Sequence, residues 1–295
     1  MVLYSNKMRE TVLGLLLVIV SGTAIYAGGP WPQMKGHGYF KLAEWWTVFD
    51  QHYTDAGMVD PNVTTGIFNT LFYGEYGITD RLTATVSGPV FSRNYMNNLK
   101  SRTTEEIIVP GEAINGVGDI NLGIKYGLTK PGSKYPVSIS LILGLPTGIA
   151  SGGSQGNLQT GDGEFNQMIR TDIGRSFKVG NLPFYTSAYA GFNNRTNQFS
   201  EEVRFGAELG AGFFKEKLWA NIKFNSVNSL KNGATAETVS STSIFANNTE
   251  FNTISFQLNY YVTEKFGFSA DYTEILSGEI IAAAPSYSIG VFVDL

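Results

Sequence analysis

The chain has 295 residues, 43% of them hydrophobic and only 16% charged, with a net charge of -4, two histidines and no cysteine. Soluble domains carry roughly 25% charged residues. The composition excludes disulfides and thiolate metal sites, leaves little for a zinc site, and gives no basic footprint for nucleic acid, so neither a metal nor a cofactor is expected.

At the N-terminus Lys7 and Arg9 precede an apolar run, Val12 to Val20, followed by Ser21-Gly22-Thr23-Ala24 and Ile25-Tyr26-Ala27. A charged region, an apolar region and small residues at a cut site make the pattern of a secretory signal. Cleavage after Ala24 or after Ala27 fits. The predicted plan is a signal over 1–27 and an exported domain over 28–295. The apolar run is short for a spanning helix, and no later stretch approaches the length that one needs.

After a lead from Gly28 to His37, a first strand is predicted over Gly38 to Gln51, holding Trp45 and Trp46 in a poorly alternating pattern. A loop with Asp55, Gly57, Asp60 and Pro61 leads to strand two, Asn62 to Ile78, with Phe68, Phe72, Tyr76 and Ile78 on one face. Thr79-Asp80-Arg81 turns into strand three, Leu82 to about Arg93, and a long polar stretch covers Asn94 to Asn115. The hairpin that follows is the clearest element. Ile120, Leu122, Ile124, Tyr126 and Leu128 alternate with Asp119, Asn121, Gly123, Lys125 and Gly127; after a turn from Thr129 to Tyr135, Val137, Ile139, Leu141, Leu143 and Leu145 alternate with Ser138, Ser140, Ile142 and Gly144. A period of two puts successive side chains on opposite faces of a strand.

A second long polar segment, Thr147 to Gly163, precedes a strand over Glu164 to Lys178; a short turn leads to Pro183 to Asn194, and a modest loop to Glu201 to Phe213. Phe214-Lys215-Glu216-Lys217 turns into Leu218 to Val227, and a third long polar stretch runs from Asn228 to Asn248. Strand ten carries Ile254, Phe256, Leu258, Tyr260 and Val262 on one face. Thr263-Glu264-Lys265 leads to strand eleven with Phe266, Phe268, Ala270 and Tyr272, and a loop from Glu274 to Pro285 to a last strand, Ser286 to Leu295.

Short and long connections alternate, so tight turns fall at one end and long polar loops at the other. About twelve strands, an even number, with alternating faces and segregated loop lengths predict an all-β fold: a transmembrane antiparallel up-and-down β-barrel in a bacterial outer membrane. Closure removes the strand edges that lipid forbids. A soluble β-sandwich would also alternate, but would carry more charge and mixed loop lengths. Tyr287, Ile289, Val291, Val293 and Leu295 form an apolar ladder. It resembles the C-terminal signal that hands such proteins to the barrel-assembly machinery, with Leu295 where Phe is usual.

By alternation Asp119, Lys125, Arg170, Asp172, Arg204, Glu208, Lys223 and Asp271 take the face away from lipid, where charge would cost a few kcal/mol each. They are the predicted lumen-lining residues. Both signs are present, so mutual pairing of most and solute contact by a minority are expected. Trp45, Trp46, Trp219 and the many tyrosines suit interfacial girdles, the role expected for most of them, with a lining for aromatic solutes as the alternative for some. Gly152-Gly153-Ser154-Gln155-Gly156 matches G-x-S-x-G but lacks the strand-turn-helix context that exposes a nucleophilic serine. His37 precedes the first strand near the periplasmic end, and His52 ends that strand at the outer side with no serine near it in sequence, which weighs against a Ser-His hydrolase; no catalytic residue is expected.

Gly116, Gly118 and Asp119, then Leu145-Pro146-Thr147-Gly148, together with Gln159-Thr160-Gly161-Asp162-Gly163, resemble the signature of an outer-membrane β-barrel transporter family of the "MetA-pathway of phenol degradation" type. The resemblance implies a transporter, with hydrophobic or aromatic compounds as solutes. The predicted function is passive uptake of small solutes through the lumen, with outer-membrane lipid, the assembly machinery and a small-molecule solute as partners. The alternatives are a plugged barrel whose long loops act as a surface receptor or adhesin, and, third, a lipid-acting barrel enzyme.

Overall fold

The computed structural model describes residues 28–101, 103–234 and 244–295; the predicted signal over 1–27 lies outside the described residues. Among the described residues there are sixteen strands: β1 (Gly38–Tyr53), β2 (Val59–Thr79), β3 (Leu82–Met96), β4 (Leu99–Lys100), β5 (Ile107–Val109), β6 (Glu112–Gly116), β7 (Ile120–Gly127), β8 (Val137–Leu145), β9 (Asn166–Val179), β10 (Leu182–Asn194), β11 (Glu202–Phe213), β12 (Leu218–Ser229), β13 (Glu250–Tyr261), β14 (Phe266–Glu279), β15 (Ile281–Ala282) and β16 (Ser286–Asp294). Every pairing between these strands is antiparallel, the long strands follow one another around the sheet in chain order with β4, β5 and β15 outside that succession, and β1 pairs with both β2 and β16. The sheet therefore closes on itself. Counting β6 and β7 as two halves of one stave, and β15 as a short addition beside β1, the barrel has twelve staves.

The burial pattern is inverted relative to a soluble protein. Glu75, Thr83, Ser138 and Asp172 are almost fully buried, whereas Leu122, Ile124, Leu141, Ile169, Leu209, Phe256 and Ile289 are exposed on the outer wall. Apolar side chains turned outward and polar ones inward are what a barrel in hydrocarbon requires. The outer band is edged by aromatic pairs such as Trp46 with Tyr287, stacked at 5.8 Å, and Phe40 with Phe72 at 6.5 Å.

Three expectations are corrected. The stretch from Asn94 to Asn115 is not all loop: β3 runs on to Met96, β6 starts at Glu112, and a small β4–β5 ribbon fills part of the connection. Similarly, β14 extends to Glu279 and β15 pairs with β1, so little of the span from Glu274 to Pro285 is irregular. Trp45 and Trp219 are not girdle residues. They point into the lumen, and of the three tryptophans assigned to girdles Trp46 alone is on the outer wall.

The wall is interrupted between β3 and the β6–β7 stave. β3 pairs with β7 as far as Ser87 and with β6 from Ser92, and between them Gly88 to Phe91 bulge past residues 117–119. Pro89 has no N–H to give a neighbour, and one bond, from Gly118 N to Pro89 O at 2.9 Å, crosses the gap. The long loop 146–165 supplies the missing partners. Thr147 Oγ1 donates to Gly118 O at 2.6 Å and Thr160 Oγ1 to Val117 O at 2.7 Å. The Asp119 carboxylate accepts from Gly148 N at 2.9 Å and Asp162 N at 2.8 Å.

The lead returns into the barrel at the short-turn end. Gly36 N donates to Gly77 O at 2.9 Å, Lys35 N to Asp80 at 3.0 Å and Gln33 N to Thr83 Oγ1 at 2.8 Å. Trp31 then meets Tyr185 edge-on at 5.7 Å, and Gly28 and Gly29 reach the lumen itself.

Candidate functional site: the barrel lumen

Inward-facing residues enclose a cavity of about 1440 Å³ that runs from the turns at Lys215–Lys217 and 262–264 up to Trp45, Asn225, Thr273 and Ser288. Beyond that level Phe49, Ile67 and Ala282 pack together on the inner side of β1, β2 and β15, with Ile244 and Ala284 against them.

Eight of the charged side chains in the cavity form four ion pairs, three of them between strands and one within β9. Lys125 Nζ lies 2.9 Å from Glu75 Oε1, and Glu75 also accepts from Tyr73 Oη and from Gln33 Nε2 at 3.2 Å. Lys41 Nζ stands 2.9 Å from Asp271, whose other oxygen accepts from Gln257 Nε2 at 2.5 Å. Arg170 pairs with Asp172 at 2.6 Å while its guanidinium lies 3.7 Å over the Tyr189 ring, a cation–π contact. Glu208 accepts from Tyr185 Oη and stands 3.8 Å from Lys223.

In the Arg170 pair the cation is the exposed partner: its side chain is 27% accessible and that of Asp172 2%. The carboxylate sits against the wall and the guanidinium faces the passage. Aromatic rings share the lining. Tyr39 stacks on Phe292 at 5.5 Å, Phe292 meets Tyr261 at 4.8 Å, and Tyr185 meets Trp219 at 5.7 Å. Two tyrosine rings of the lining lie over glycines of β11: a methyl group at Gly210 would overlap the Tyr185 ring, and one at Gly206 the Tyr189 ring.

Of the eight residues selected by alternation, Lys125, Arg170, Asp172, Glu208, Lys223 and Asp271 line this cavity. Asp119 and Arg204 do not. Asp119 is held at the wall interruption by loop amides, because the pairing fails there and its carboxylate caps two free N–H groups. Arg204 bonds Glu202 at 2.5 Å, part of a cluster at the long-loop end. In that cluster Arg195 meets Glu164, Glu202 at 2.8 Å and Asp162 at 3.4 Å. Burial foremost, with Asp162 adding to it and Arg195 opposing, pushes the Glu164 carboxyl up to about 7.

Sequence reasoning missed Glu75, Lys41 and Asp294 in the cavity. Alternation against Phe72, Tyr76 and Ile78 carried the signal for Glu75; Lys41 sits in the strand whose alternation is poor.

Glu44 is an exception to the inward rule for charge. It faces outward on β1, two positions from Trp46, and accepts from Thr70 Oγ1 at 2.8 Å. His37 Nδ1 lies 2.8 Å from Leu295 O, and His52 Nδ1 3.3 Å from Asn62 Nδ2. Ser154 donates to Glu112 at 2.8 Å from a loop with no helix behind it. Among the described residues no group of acidic, histidine or cysteine side chains is placed to hold a metal ion.

The structure is similar to an outer membrane channel from Pseudomonas putida F1, with a TM-score of 0.56 at 14% identity over 92% of this chain and 100% of that one. The fold is that of an outer-membrane β-barrel. A porin named NanC gives a TM-score of 0.48 at 10% identity over 87% of this chain and all of its own, a distance at which likeness carries no further argument. No protein-family description matches the sequence, and no curated protein does.

Proposed function

We propose that the chain is a passive outer-membrane channel for small solutes, with aromatic compounds as the solute class. One observation carries this reading: a cavity of about 1440 Å³ inside the barrel, lined by paired charges and aromatic rings. An aqueous passage needs a polar wall, and a barrel of about twelve strands encloses more room than side chains fill. Trp45 and Tyr261, half-buried in the lining, offer ring surface on which a flat solute can stack. Arg170 adds a cation on the open side of its ion pair. The resemblance of the Gly116–Asp119, Leu145–Gly148 and Gln159–Gly163 motifs to the phenol-degradation barrel family supports the same solute class. On this reading residues 1–27 direct export, the strand Tyr287 to Leu295 is recognised by the assembly machinery, and lipid surrounds the apolar band.

Single-channel recording of the folded protein in planar bilayers tests it. Discrete openings are expected, with ion selectivity shifted toward cations by Arg170→Gln and toward anions by Asp271→Asn. A silent bilayer from a barrel shown to be folded by heat-modifiable migration opposes conduction and favours the surface-receptor reading. Uptake of an aromatic carboxylate into proteoliposomes faster than a sugar of similar mass would support the solute class; equal rates would remove it.

A further inference from the structure

The lead ends in the lumen beside a buried acid. Gly28 N, an amide nitrogen while joined to Ala27, donates to Glu75 Oε2 at 3.3 Å. Glu75 is 1% exposed and already holds Lys125 on its other oxygen. Gly28 takes a φ of +89°, a conformation that favours glycine. The lead that brings it there is fixed along its length by the bonds of Gln33, Lys35 and Gly36 to β2, β3 and the turn between them. A second observation concerns charge. Seven carboxylates and six cationic side chains line the cavity, which leaves one negative charge without a counterpart.

We propose, building on export of residues 28–295 but not on conduction, that a signal peptidase cuts between Ala27 and Gly28 and that the α-ammonium so created is a built-in ligand of Glu75 inside the lumen. Water adds across the Ala27–Gly28 amide. The acyl carbon leaves with the signal as the Ala27 carboxylate, and the nitrogen stays on Gly28 and takes up a proton. A single hydrogen-bond donor beside Glu75 becomes a cation with three, and the cavity lining reaches charge balance. The amide gives way to a full positive charge facing the Glu75 carboxylate, so the contact becomes an ion pair as well as a hydrogen bond. The first residues of the mature chain then form a strap across the short-turn end, tied at one end by β1 and at the other by its own terminus. Cleavage after Ala24 would instead leave an amide at Glu75 and place the ammonium three residues further along.

Two measurements on the outer-membrane protein test this. Intact mass is expected to give a chain beginning at Gly28; a chain beginning at Ile25 overturns the assignment. The α-amine of the folded barrel is expected to react with a small acylating reagent about tenfold more slowly than in the urea-unfolded chain, as a rise of one unit in its pKa alone would produce. Two serines inserted between Ala27 and Gly28 leave Glu75 and Lys125 intact and are expected to restore fast labelling; Glu75→Gln is expected to do the same. A folded wild-type barrel whose amine labels as fast as the unfolded chain overturns the proposal. Labelling needs no current, so a barrel that conducts nothing leaves this result readable.

Discussion

Lys125 and Glu75 meet at 2.9 Å although their strands do not touch. β3 lies between β7 and β2, and the two side chains reach over Thr83 and Thr85 on its inner face. Both groups are buried, so each is the other's main compensation for lost water.

Removing one partner of a buried pair leaves an uncompensated charge, at a cost of roughly 3–5 kcal/mol. Lys125→Met is therefore expected to lower the urea midpoint of the folded barrel strongly. Lys125→Met combined with Glu75→Gln is expected to recover more than half of that loss. Tryptophan fluorescence during unfolding in detergent reads both; equal midpoints for the single and double variants would show that the pair is not coupled.

Asp119 carries a different load. Its carboxylate accepts two loop amides where the wall has none to offer. Hydrogen bonds to a charged group contribute about 1.5–3 kcal/mol each. Asp119→Ala is expected to free the loop 146–165 while the barrel stays closed. Limited proteolysis should then cut within that loop many times faster, with an unchanged β-sheet circular dichroism spectrum.

On the outer wall, Glu44 and Thr70 place a carboxylate inside the apolar band. Acidic residues facing lipid destabilise a barrel by less than the roughly 2–4 kcal/mol of a basic one at the midplane. Glu44→Leu is expected to raise stability by about 1 kcal/mol in lipid vesicles. A loss of stability would mean that the carboxylate meets a polar group of another molecule there.

The Glu164 cluster gives a pH dependence. Its carboxyl is raised from 4.5 to about 7, so in that window the folded loop keeps a proton that the opened loop releases. The contribution is complete below pH 4.5 and is lost as the pH rises through 7. Amide exchange of residues 162–165 is expected to accelerate from pH 5.5 to 8 beyond its intrinsic pH dependence, and Glu164→Gln to abolish that excess.

Period-two alternation made the architecture legible, because a wall with lipid outside and water inside writes itself into every second residue. The hairpin from Ile120 to Leu145 shows this most plainly. Alternation fails where the register does. The bulge at Gly88 to Phe91 shifts the phase of β3, so its last residues read as loop. Asp119 sits in the matching gap, and period alone put it with the lumen charges. Trp45 and Trp219 went astray for another reason: aromatic composition does not say which face a ring takes, and here rings furnish both the girdle and the lumen. The convergence of Asp119, Thr147, Thr160 and Asp162 depends on a fold-back of loop 146–165 that no local pattern encodes.

The glycines of β11 set the bore. Because Gly206 and Gly210 present no side chain, Tyr189 and Tyr185 lie flat against the neighbouring strand instead of standing out into the passage. Each glycine is thus a recess cut to the thickness of one ring. An alanine at Gly210, where an added methyl would meet side chains alone, would turn a wall-hugging tyrosine into an obstruction, narrowing the barrel from within while its strand number and circumference stay the same.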